Sequence, residues 1–241
     1  MVNSRQVVAA TINSAVHEWP GVGSVVASSW ELAAPDVRRS HYVPPDTCVD
    51  VVVAIDLDGR MAPIVAPPNV TFAVMVPTPG GHYLGARCHP GHHRLLVQLR
   101  SLEFPTTASS VHDARIELVA RLEALASPRP TWIDEAVHFV RDDVTCRVSS
   151  LARKLGVSAR TLHRGMVEHV GVTPKAFLRV ERVRRAAADI AAGACASAVA
   201  AATGFADQAH LVRELRTLLG VSTRDIQTSY TVSDFFKRSR A

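Results

Sequence analysis

The rhythm of hydrophobic positions changes near residue 110. Between residues 20 and 105 the apolar runs are short and rich in Val and Thr, and turn-forming groups close them. Cys48 to Ile55 ends at Asp56-Leu57-Asp58-Gly59, and Thr71 to Val76 ends at Pro77-Thr78-Pro79-Gly80-Gly81. Such runs predict strands joined by turns. Val111, Leu118, Leu122 and Leu125 then fall at helical spacing, until Ser127-Pro128-Arg129-Pro130 interrupts the pattern. From Thr131 onward short helical segments follow one another across Gly-containing turns. The pattern predicts an α+β chain: a β-rich domain over 1–127 with a closing helix near 111–126, an all-α domain over 131–228, and a C-terminal tail at 229–241.

The helical half repeats itself. Ser158 to Gly171 (SARTLHRGMVEHVG) and Asp207 to Gly220 (DQAHLVRELRTLLG) share length and layout 49 residues apart. Each copy opens on a residue whose side-chain oxygen can satisfy free N–H groups of the first helical turn, and each closes on glycine. Apolar residues at i, i+4 and i+8 (Leu162, Met166, Val170; Leu211, Leu215, Leu219) form one stripe for burial. Ahead of each copy lies a short helix, Ser149 to Leu155 or Ser197 to Thr203, ending at Gly156 or Gly204. Glycine there permits the positive φ of a sharp helix-to-helix turn, and Val157 or Phe205 can plug the gap behind it. Helix, glycine turn and capped helix make a helix-turn-helix layout, present twice. Between the units, Thr173-Pro174 starts a helix running to about Ala192, a rigid spacer with Phe177, Val180, Val183, Ala187 and Ile190 on one side.

Charge separates the halves. Residues 129–241 hold 18 Lys/Arg against 11 Asp/Glu, a net +7, and residues 1–128 hold 9 against 11. The helical half is therefore the polyanion-binding candidate. Cys48, Cys88, Cys146 and Cys195 show neither CxxC spacing nor a dense framework, so a reducing cytoplasm is the simplest compartment. Neither a signal peptide nor a membrane span is expected.

The stretches SSLARKLGVSARTLHR, GVTPKAFLRVERVRRAA and GFADQAHLVRELRTLLGVS resemble the AraC/XylS family of transcription regulators over about residues 131–228. The resemblance implies a monomer that sets two recognition helices in successive major-groove segments of double-stranded DNA, about 34 Å apart. Helical geometry puts Ala159, Arg160, His163 and Arg164 on the outer face of the first recognition helix. It puts Gln208, Ala209, Val212 and Arg213 on that of the second. Arg can bond guanine bidentately and Gln adenine, so Arg160, His163, Arg164, Gln208 and Arg213 are the expected base readers. Arg153, Lys154, Lys175 and Arg179 are the expected phosphate contacts. The chain departs from the family at Gly165, which inside a helix costs about 1 kcal/mol relative to Ala. It departs also at Met166 and Leu215, where Phe is frequent, at Val212, where a small hydroxyl residue is, and at Thr223, where proline is.

WELAAP, HYVPPDTCVDVVVAI and YLGARCHPGHH are similar to β-rich N-terminal regions of some AraC-type regulators, implying a compact, cupin-like sensing or regulatory module. Cys88, His89, His92 and His93, with His82 nearby, are the one patch with transition-metal chemistry. The simpler reading is a Pro-Gly turn with exposed histidines beginning a helix, and neither metal nor cofactor is expected. Asp46 and Asp50 either face a pocket or meet water. Leu118, Leu122 and Leu125 either pack on the β-rich half or form a dimer seam. No GxSxG, HExxH or phosphate-cradling glycine loop is present, so no catalytic residue is assigned. Further partners to consider are RNA polymerase, a small-molecule effector and a second copy in a homodimer. The alternative function is a metal- or small-molecule-binding enzyme or sensor in the N-terminal half, with the helical half serving protein interaction.

Overall fold

The computed structural model of the chain describes residues 16–21, 23–34, 41–99 and 110–228. Its strands are β1 Val16–Pro20, β2 Val26–Ala33, β3 His41–Val43, β4 Asp50–Ile55, β5 Met61–Ala66, β6 Ala73–Met75 and β7 His82–Cys88. Five of them form an antiparallel sheet in the order β1-β2-β7-β4-β5, and β3 pairs with β6. Alternation along β4 and β7 explains the two faces. Val51 and Val53 lie opposite Ala86 and Leu84, and all four are buried with Val26 and Cys88. Helices α1 Leu95–Leu99 and α2 Val111–Ala124 join that core through Leu95, Leu99, Ala114, Leu118 and Leu122. Leu118 and Leu122 are thus core residues of their own module and not a dimer seam.

Two polar devices dock α2 on the sheet. The Glu123 carboxylate accepts backbone N–H bonds from Ser24, Val25 and Val26 at 3.0, 3.1 and 2.7 Å. Arg115 donates to Glu31 and to the Ser29 hydroxyl, and its guanidinium lies 3.9 Å from the Trp19 ring centre. On the sheet's other face Trp30 lies across its register partner Gly85, its indole filling the place of a Cβ. Asp46 and Asp50, expected at a pocket or in water, are instead drawn in by Arg87, whose guanidinium pairs with them at 2.9 and 3.0 Å. Cys48 and Cys88 are buried, and all four cysteines are free thiols.

The helical half comprises α3 Thr131–Asp142, α4 Val148–Lys154, α5 Ala159–Gly165, α6 Pro174–Ala191, α7 Ala196–Ala202, α8 Gln208–Glu214 and α9 Thr223–Thr228. Both α5 and α8 run on through a wider π turn, Met166–Val170 and Leu215–Leu219 respectively. Two cores form around α6. Its N-terminal half carries Phe177 into a cluster with Ile133, Val137, Leu151, Leu162, Met166 and Val170. Its C-terminal half carries Val183, Ala187 and Ile190 into a second with Val199, Leu211, Leu215, Leu219 and Ile226. Each buried Leu in these stripes contributes about 1.5–3 kcal/mol. Among the described residues no helix is long and apolar enough to cross a membrane.

Candidate nucleic-acid interface

Each unit begins with the turn that the sequence demands. Gly156 and Gly204 hold φ at +66° and +76°, the left-handed conformation in which a side chain would strain the backbone. The second turn is one residue longer: Gly156-Val157 leads to the cap Ser158, whereas Gly204-Phe205-Ala206 leads to Asp207. Ser158 Oγ accepts from the Thr161 N–H at 3.0 Å and Asp207 Oδ1 from the His210 N–H at 2.6 Å, so both α5 and α8 start on a satisfied cap. Thr173 caps α6 in the same way. Leu162, Met166 and Val170, with Leu211, Leu215 and Leu219, are buried at their equivalent positions.

Burying that stripe leaves the opposite face outward. Arg160, His163 and Arg164 are exposed on α5 and border an open hollow with Val167 and Glu168. Gln208 and Arg213 are exposed on α8 and border a matching hollow with Ala209, Val212 and Arg216. Arg216 was missed by sequence reasoning. It stands one turn beyond Val212 on the same exposed face, and that i+4 spacing was the signal for it. Among the described residues none of Arg160, Arg164, Arg213 and Arg216 is held in an ion pair. His210 is spent internally, with its ring edge-on to Phe205.

The sequence pattern of a family described as a helix-turn-helix domain matches residues 151–229. This region is an AraC/XylS-type helix-turn-helix domain. The match begins inside α4, so α3 lies ahead of it. Among solved structures, the C-terminal domain of AraT, a response regulator from Geobacillus stearothermophilus, is similar at 19% identity, covering 42% of this chain and 87% of that one with a TM-score of 0.39. ToxT from Vibrio cholerae is similar at 11% identity, covering 89% and 97% with a TM-score of 0.45. A search of curated proteins found no match.

Around this AraC/XylS-type domain the cations expected at phosphates divide. Arg153 and Lys175 are exposed. The Lys154 ammonium lies 3.6 Å from the Phe139 ring centre, a cation–π contact that leaves it at the surface. Arg179 departs from expectation, because its guanidinium makes a two-bond fork with Glu214 of α8 at 2.5 and 2.8 Å. The bonding holds the Arg179 guanidinium above its ordinary pKa and the Glu214 carboxyl below its own. Arg179 is therefore occupied in fastening α6 to α8. Gly165 also has a packing reason that the sequence did not reveal: the Trp132 ring of α3 lies where its Cβ would stand.

The histidine patch is a structural joint. Cys88 and His92 are buried, with His92 only 3% exposed, so the reading of exposed histidines is corrected there. His92 Nε2 meets the Ser24 carbonyl at 3.0 Å, and burial pushes its pKa down to about 4. The His93 N–H turns away and donates to the His169 carbonyl in the π turn that follows α5. Among the described residues no three His, Cys, Asp or Glu side chains converge as a metal site.

Proposed function

We propose that the chain is a sequence-specific transcription regulator that seats α5 and α8 in adjacent major-groove segments of double-stranded DNA. The carrying observation is the doubled outward face. Two capped helices of one layout each bury an apolar stripe and leave arginines in solvent without acidic partners. On this reading Arg160, His163, Arg164, Gln208 and Arg213 touch base edges, joined by Arg216. Arg153, Lys154 and Lys175 touch phosphates and position the domain without sequence preference.

Residues 131–228 form the DNA-binding unit of this reading, and residues 1–127 the regulatory one. RNA polymerase, a small effector and a second copy are the further partner classes.

The test is selection of bound fragments from random duplex DNA by the full chain, followed by titration of the winner across a salt series. The expected result is an extended, non-palindromic site whose binding weakens steeply with salt, as Lys and Arg displace condensed counterions. A flat salt response, or no enrichment of any sequence, sinks the proposal.

A further inference from the structure

The N-terminal module touches the two units at equivalent atoms. The His93 N–H donates to the His169 carbonyl and the Phe72 N–H to the Leu218 carbonyl, each at 2.7 Å. His169 and Leu218 stand at matching positions of the repeat, in the π turn that ends each recognition helix. The match extends to the glycines that close those turns. The His93 ring lies 2.5 Å from where a Cβ on Gly171 would be, and the Phe72 ring 2.7 Å from one on Gly220. Both glycines hold positive φ, +84° and +66°. Carbonyls at a helix C-terminus lack partners within the helix. Here a second module supplies them.

The two anchors are tied together through Asp46, which pairs with Arg87 of β7 and exchanges hydrogen bonds with Asn69, three residues ahead of Phe72. Phe72 leads into β6, is stacked on Tyr42 of β3 with ring centres 5.9 Å apart, and gains a second tie where the Tyr42 hydroxyl donates to the Leu219 carbonyl at 2.5 Å. His93 follows β7 through the Gly91 turn, next to His92, which is bonded to Ser24 of the sheet module. Between them the Thr47 hydroxyl meets Glu181, on the linker helix α6, at 3.4 Å. The gripped ends are the far ends of α5 and α8, away from the first turns that carry Arg160 and Gln208.

We propose that the N-terminal module is a clasp that sets the distance between the two recognition helices, with Phe72 and His93 as positioning residues for half-site spacing. The spacing role rests on the two-helix reading given under the proposed function. Without the clasp, the units are joined by α6 and the Arg179–Glu214 fork. With it, they are closed into a loop through the N-terminal module, and a rigid link between two binding elements rewards one separation of their targets.

The full chain supports two measurements. Cys146 and Cys195 lie just ahead of α4 and α7, one in each unit, and are the two cysteines not buried. Spin labels on them report the distance between units without DNA, with single-label samples to assign the signal. The expected result is one narrow distance, broadened at least about twofold by combining Tyr42→Phe with Phe72→Ala. His93→Ala combined with Tyr42→Phe is the second variant, should the first fail to fold by circular dichroism.

On duplexes whose half-sites are moved about one or two base pairs apart or together, the wild-type preference of about tenfold for one spacing falls below about threefold, while single half-site affinity is unchanged. A distance that stays narrow in the folded variants, or a spacing preference that persists, overturns the clasp. A distance that broadens while the wild-type chain protects only a single half-site upholds the mechanical clasp and overturns the two-helix reading instead.

Discussion

The two helix-turn-helix units bury the same stripe and fasten it differently. At matching positions stand Gly165 and Glu214. The first accepts the ring of Trp132 from α3, and the second takes the guanidinium of Arg179 from α6. Their outer faces diverge as well: Arg160, His163 and Val167 in one unit correspond to Ala209, Val212 and Arg216 in the other. Only Arg164 and Arg213 agree. The buried stripe is held to one pattern because every member touches several others, whereas a solvent-facing residue answers only to its partner. A unit therefore tolerates change on its outer face more readily than in how it packs.

The largest expected effect tests the shared part. Leu162→Ala and Leu211→Ala should each lower unfolding free energy by about 2–5 kcal/mol in urea titrations. A loss below about 1 kcal/mol at either position would show that its unit lacks the core described. Next comes the fastening. Helix propensity alone says that Gly165→Ala gains about 1 kcal/mol, but the Trp132 ring turns this into an overpacking cost of about 1–3 kcal/mol in the same titration. A stabilised variant would mean that the ring yields freely.

The outer faces come third. Arg213→Ala should cost about 1–3 kcal/mol on the selected site and much less on random DNA, measured by competition binding. Equal losses on both would make Arg213 a phosphate contact. The smallest effect concerns the clasped ends, where His169 in the first unit corresponds to Leu218 in the second. Burial, the leading cause, holds the His169 imidazole below its ordinary pKa, with Glu168 opposing and Arg94 and Arg129 reinforcing the shift. The unfolded form therefore binds the proton more readily, so the stability present above the ordinary histidine pKa is lost as pH falls below it. Protection of the amides across 166–172, taken relative to the intrinsic exchange rate at each pH, should weaken between about pH 7 and pH 5 while that across 215–221 changes little, and His169→Leu should remove the difference.

Much of this was legible because it is local. Ser158, Asp207 and Thr173 announce caps within three residues of the amides they bind, and Gly156 and Gly204 mark turns within their own units. Helical periodicity likewise identified Leu162, Leu211 and the solvent-facing arginines. What escaped depends on residues that only folding brings together. Glu214 stands 35 residues from Arg179, and Arg87 stands 37 from Asp50, so one expected phosphate contact became a brace and one carboxylate on a strand became half of a partly buried pair. Gly165 looked like a weakness because Trp132 comes from a different helix. The histidines after Cys88 were expected as exposed turn residues because nothing nearby in sequence shows that one is enclosed by the sheet module and the next reaches across to the turn after α5.

The unequal outer faces have one more outcome. Under the proposed two-helix reading, units that were chemically alike and set head to head would accept a target in either orientation. Arginine and histidine on one outer face, against glutamine and valine on the other, would instead give a bound chain a front and a back, so that it faces a single way along the duplex.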